Sequence, residues 1–180
     1  MSAENFCIHA EVNTVYDVPI EKESLMQFLS QPKTFEDYMP SVKAVKLIGT
    51  SKNGLPLYEW QYDVEMPLAP TLRVSIPTEF CKNGPVFTHH TPDEQARDWM
   101  KCQLAFEVAP NSTPSEPHTL VRMQLHIRLQ RASGTDFHPL GALMGKAFMC
   151  AQMQNRMQSI ADAFVHKSVN VLYQQLHNSK

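Results

Sequence analysis

The chain has 180 residues, 43% of them hydrophobic and 19% charged. This composition suits one folded domain over residues 1–180 and excludes a disordered tail or a membrane bundle. Sixteen basic and eighteen acidic residues leave a formal charge of -2, which argues against a dedicated nucleic-acid binder. Residues 1–5 carry an acid and no apolar run of a secretory signal, and no stretch approaches the roughly 20 apolar residues that span a bilayer. Cys7, Cys81, Cys102 and Cys150 form no C-x-x-C spacing, so a cytoplasmic chain with reduced thiols is expected.

Residues 6–18 alternate with period two: Phe6, Ile8, Ala10, Val12, Tyr16 and Val18 share one face, as in a half-buried strand, and Pro19 ends it. The period then changes. Leu25, Phe28 and Leu29 predict a short helix broken at Gln31-Pro32, and Phe35, Tyr38 and Met39 a second ending at Pro40. A strand follows from Val42 to Ile48. Ser51-Lys52-Asn53-Gly54 is a turn, with Asn-Gly supplying positive φ.

Leu57 to Met66 is the clearest strand, with Tyr58, Trp60, Tyr62, Val64 and Met66 against Glu59, Gln61, Asp63 and Glu65. Leu72, Val74 and Ile76 begin another, which Pro77 is expected to bend or to end at a sheet edge. Val86 to His90 is a short strand with Val86, Thr88 and His90 in phase. Trp99 to Val108 places Met100, Cys102, Leu104, Phe106 and Val108 together, and Leu120 to Gln130 does the same for Met123, Leu125, Ile127 and Leu129. Residues 110–118, with three prolines, form a loop. Asp136 is the expected N-cap of a helix running from about 137 to about 176. Its apolar face is traced by Cys150, Met153, Met157, Ile160, Phe164 and Val171. Gly141 and Gly145 mark a bend or a close approach to the sheet. Seven half-polar strands need a cover, and only the terminal helix is long enough. The expected class is α+β: a curved antiparallel sheet of about seven strands around a long C-terminal helix, with two short helices after the first strand.

The run from Val15 to Leu29, with its apolar-Pro-x-Glu step at Val18-Pro19-Ile20-Glu21, resembles the opening of the START-like, or SRPBCC, superfamily. Pro32 to Val42 resembles the next stretch of its pattern, with Gln31 where Asp is common and Tyr38 where Trp is common. Val45 to Gly49 matches the strand after it. The likeness is specific over about residues 6–49 and topological beyond. It implies a helix-grip fold around a deep, mostly apolar cavity, in a superfamily of lipid-transfer domains, ligand carriers, polyketide cyclases and aromatases, and adaptor proteins. A fold does not fix a reaction.

Several residues are candidates for that cavity. Tyr58, Trp60 and Tyr62 form an aromatic ladder suited either to pack a ligand or to fill a core. Met149, Met153 and Met157, with Met144 earlier, form a polarizable stripe that reads either way. The expected ligand wall is Tyr16, Tyr58, Trp60, Tyr62, Leu104, Phe106, Leu125, Met153, Met157 and Ile160. The adjacent His89 and His90 point to opposite faces of a strand and do not chelate one metal; His90 is an acid–base candidate if it faces inward. Cys102 reads as inert packing. No catalytic motif, cofactor or metal site is present in the sequence. The tip Pro67-Leu68-Ala69-Pro70 reads as a cavity lid, a transient membrane contact or a packed satellite patch.

The leading expectation is a non-enzymatic carrier or sensor of a hydrophobic small molecule or lipid, which enters near the short helices. A polyketide cyclase-like or aromatase-like enzyme using Tyr58, Tyr62 or His90, and an adaptor with a packed cavity, remain the alternatives.

Overall fold

A computed structural model describes residues 6–65 and 71–178. The chain runs β1 (Phe6–Val18), α1 (Lys22–Leu29), α2 (Pro32–Tyr38), β2 (Val42–Thr50), β3 (Pro56–Val64), β4 (Leu72–Asn83), β5 (Val86–His90), β6 (Asp98–Val108), β7 (Thr119–Arg131), a 3₁₀ turn (Gly134–Asp136) and α3 (Gly141–Asn178). The strands form one curved antiparallel sheet in the order β1-β7-β6-β5-β4-β3-β2. β1 lies at one edge, and α1 and α2 carry the chain across to β2 at the other. A hairpin meander then returns to β7, which pairs with β1. α3 packs over the concave face, and this α+β arrangement is the helix-grip fold.

The alternation read in the sequence becomes a burial pattern. On β1, Ile8, Ala10, Val12 and Val18 are buried, and on β7 Val121, Met123, Leu125, Ile127 and Leu129 are. α1 buries Leu25 and Leu29. α2 starts at Pro32, whose missing N–H costs nothing in a first turn. Phe35 joins three elements: its ring stacks on Phe164 of α3 at 4.9 Å and meets Trp60 of β3 edge-on at 5.1 Å.

Four sequence expectations are corrected. Pro77 neither ends β4 nor sits on an edge strand, because β4 continues to Asn83 inside the sheet. β5 pairs with β4 only from Glu79 onward, so Pro77 falls where β4 has β3 on one side and no β5 partner on the other. Val108, the last residue of β6, is 59% exposed rather than buried with Phe106. Asp136 does not cap the long helix. It closes a capping box with Ser133 on the 3₁₀ turn, and α3 begins at Gly141. The fourth is the phase of β5: Phe87 and His89 are its buried residues, while His90 faces outward beside Glu79. Phe87 is the largest apolar side chain of this five-residue strand, and its burial fixes the phase. Met66 and the tip 67–70 lie outside the described residues.

The two glycines of α3 divide the expected roles. Gly145 has φ 77° and ψ 158° and breaks the helix, leaving Met144 before the break and off the stripe that follows. Gly141 approaches the 3₁₀ turn rather than the sheet: a Cβ there would collide with the Gly134 carbonyl. Beyond the break, Met149, Met153, Met157, Ile160, Phe164 and Leu172 face the core; Cys150 and Val171 are half-buried at its margin.

Candidate functional site

The concave face of β3, β4 and β5 beneath α2 is built of rings. His89 is enclosed by Phe80 (centroid separation 4.7 Å, stacked), Trp60 (5.0 Å), Phe35 (5.9 Å) and Tyr58 (6.2 Å). Trp60 stacks on Tyr62 at 6.0 Å, and the Tyr62 hydroxyl donates to the Met100 sulfur at 3.0 Å. Alternation on β3 and the β3–β4 register bring these side chains together, with Tyr58 opposite Thr78 and Trp60 opposite Ile76.

Within this apolar chamber three polar atoms have no hydrogen-bond partner among the described residues: Trp60 Nε1, Thr78 Oγ1 and His89 Nδ1. All three residues are buried. An unmet buried polar group costs about 1–3 kcal/mol; Trp99 Nε1, Arg128 Nε and Arg156 Nε are in the same condition elsewhere, and the three here are the ones gathered in one aromatic cluster. Burial also sets the ionisation of the interior. It lowers the His89 imidazole to about 3, raises the Cys102 thiol to about 12, and lifts the Tyr62 phenol well above its usual range, with Cys102 adding to the effect on Tyr62.

α3 is fastened along β1. The Tyr16 hydroxyl donates to Asp162 Oδ1 at 2.8 Å, Gln158 Nε2 donates to Asp162 at 3.0 Å and to Thr14 at 3.2 Å, and the Gln154 amide exchanges hydrogen bonds with the Glu11 backbone. Burial and the Asp162 carboxylate raise the Tyr16 phenol. On the side away from β1 a half-open cleft of about 490 Å³ separates the end of β3, at Val64 and Glu65, from α3. Its helical wall is Gln152, Met153, Asn155, Arg156 and Ser159. This opening lies between α3 and the end of β3; at the short helices Phe35 stacks on Phe164, and another cleft, of about 580 Å³, borders the start of α1 at Glu21, Lys22 and Glu23.

Of the ten residues expected to line a ligand site, Trp60, Tyr62, Leu104, Phe106, Leu125, Met153, Met157 and Ile160 are buried in one continuous core, with Tyr16 and Tyr58 packed at its margin. Met153 is the one of the ten that also lines the cleft. The sequence reading missed His89, Thr78 and Arg156. The choice between His89 and His90 turned on the phase of a five-residue strand, and Arg156 reads as an ordinary solvent-facing cation on a helix. Among the described residues no cluster of three or more His, Cys, Asp or Glu is arranged to hold a metal, and no helix is long and apolar enough to cross a membrane.

The sequence matches no family model and no curated protein. The fold has clear counterparts among solved structures. The aromatase/cyclase Zhui from Streptomyces sp. R1128 is 14% identical with TM-score 0.59, over 93% of this chain and 96% of that one. A START superfamily protein from Mycobacterium smegmatis is 10% identical with TM-score 0.56, over 92% of this chain and 98% of that one. The di-domain aromatase/cyclase StfQ of the steffimycin biosynthetic pathway is 8% identical with TM-score 0.61, over 94% of this chain and 52% of that one. The chain thus has the START-like, or SRPBCC, fold expected from residues 6–49. At these identities the likeness is one of fold.

Proposed function

We propose that the chain binds a hydrophobic small molecule or lipid between sheet and helix, in the cytoplasm, without converting it. The observation that carries the reading is the set of unpartnered polar atoms on Trp60, Thr78 and His89 inside an aromatic chamber. Recognition sites for apolar ligands are mostly hydrophobic, with a few convergent polar groups that set orientation. Burial of the ligand would supply most of the affinity, at roughly 25 cal/mol per Å² of apolar surface. The wall residues are in mutual contact, so a ligand entering from the cleft has to part them. The Met149, Met153 and Met157 stripe suits this, because unbranched, polarizable side chains repack at low cost. The solved neighbours described as START and aromatase/cyclase proteins support the same class of ligand. What favours binding over turnover is the ionisation of the interior. Proton transfer is most efficient from a group titrating near the working pH, and His89, Cys102 and Tyr62 are all displaced far from neutrality.

A second reading, an adaptor whose cavity is packed shut, is favoured by the depth at which Trp60, Leu104 and Phe106 are buried. Organic extraction of protein purified without detergent, followed by mass spectrometry and titration with a fluorescent fatty acid, separates the two. A co-purifying hydrophobic molecule or saturable binding supports the carrier. Neither, together with a stable protein partner in pull-down, supports the adaptor and rejects the carrier.

A further inference from the structure

The cleft between β3 and α3 has a chemistry of its own. Its apolar side is Val64 and Met153, and Met153 belongs to the stripe that faces the core. Its polar side is Asn155, Arg156 and Ser159, which share a helix face by their three- and four-residue spacing. Arg156 is the cation of this lining, and its Nε–H is shielded from water with no acceptor among the described residues. Its terminal Nη2 lies 3.8 Å from Glu65, a long separation for a charge-assisted hydrogen bond, and the Glu65 side chain is 79% exposed. A partly exposed guanidinium therefore lines this opening, held loosely by an exposed carboxylate.

We propose that Arg156 receives the carboxylate head of an amphipathic ligand whose apolar tail enters along Val64 and Met153, and that Glu65 occupies the head-group position when no ligand is present. This rests on the carrier reading and adds the class of ligand and the residue that selects it. Glu65 itself marks the position as fit for a carboxylate, and the terminal nitrogens of a planar guanidinium offer that group two hydrogen bonds. Because Glu65 competes for the same cation, removing its charge strengthens ligand binding, whereas removing Arg156 weakens only ligands that carry the acid.

The test is displacement of Nile red, a neutral hydrophobic fluorophore, by dodecanoate, dodecyl phosphate and 1-dodecanol at pH 7.5. Dodecanoate is expected to compete roughly tenfold better than dodecanol. Arg156→Gln abolishes that difference and leaves dodecanol unchanged. Arg156→Lys, which keeps the charge and loses the fork, retains part of it, and Glu65→Gln enlarges it. Circular dichroism establishes that each variant is folded, and should Arg156→Gln fail to fold, the Glu65→Gln and Arg156→Lys responses decide. Equal competition by acid and alcohol in the parent chain, or a preference indifferent to these substitutions, overturns the role of Arg156 while the carrier reading stands. Tighter competition by dodecyl phosphate overturns the choice of a carboxylate. If Nile red does not bind at all, the carrier reading falls and this inference with it.

Discussion

His89 of β5 and Cys102 of β6 are directly opposed across the two strands, and both side chains are buried in the core. In a wetter setting a cysteine beside a histidine makes a reactive thiolate–imidazolium pair. Here low-dielectric burial pushes the two groups apart, to about 12 for the thiol and about 3 for the imidazole, so both stay neutral at physiological pH. Cys102 is therefore expected to resist an aqueous thiol reagent at pH 8 in the native protein, while the half-exposed Cys7, Cys81 and Cys150 are labelled. Peptide mapping after a short pulse checks this; native-state labelling of Cys102 as fast as Cys81 would contradict it.

The same burial makes the fold acid-sensitive. His89 titrates lower in the folded state than in the unfolded chain, where its value is near 6.5. The unfolded state thus binds the extra proton first, and stability falls as pH drops from about 6.5 towards 3. The loss from this group is about 2 kcal/mol between pH 7 and pH 5. Urea unfolding of the parent and of His89→Phe at both pH values measures it as a difference in slope. An unchanged slope in the variant would show that His89 is not the group responsible.

Gly145 is held where side-chain-bearing residues are rarely found. Its φ of 77° and ψ of 158° belong to a region essentially confined to glycine, and a Cβ there would touch nothing within 4 Å. The penalty for Gly145→Ala is therefore one of backbone conformation, about 1–3 kcal/mol in denaturant unfolding. In an ordinary helix interior the same change would stabilise by up to about 1 kcal/mol. A neutral or stabilising result would mean that α3 is continuous through residue 145.

The difference between these regions explains what the sequence could disclose. β1, β6 and β7 were legible because each is long enough for period two to declare a buried face. The Ser51–Gly54 turn was legible from Asn-Gly, but its type is corrected: Lys52 and Asn53 are the central residues, and the positive φ falls on Gly54 alone, so it is not a primed turn. β5 was not: in Val86-Phe87-Thr88-His89-His90 each face carries a histidine and an apolar residue, and the phase follows the burial of Phe87 together with His89. Pro77 misled for a related reason, since its tolerance depends on β5 ending at His90 opposite Glu79, short of Pro77. At the site, alternation exposed the aromatic wall, but the cleft at Arg156 arises from the distance between β3 and α3, which no local pattern encodes. The expected lid at 67–70 lies outside the described residues.

The chain has two tryptophans, and Trp60 is the one in the aromatic chamber, within 5.0 Å of the His89 ring. Trp99→Phe leaves Trp60 as the sole donor for energy transfer to an anthroyloxy-labelled fatty acid. Titrating this variant tests the central claim most directly. The account predicts saturable transfer from Trp60 that an excess of unlabelled fatty acid reverses. A folded variant that shows no saturable transfer, or transfer that competitor leaves untouched, would contradict it.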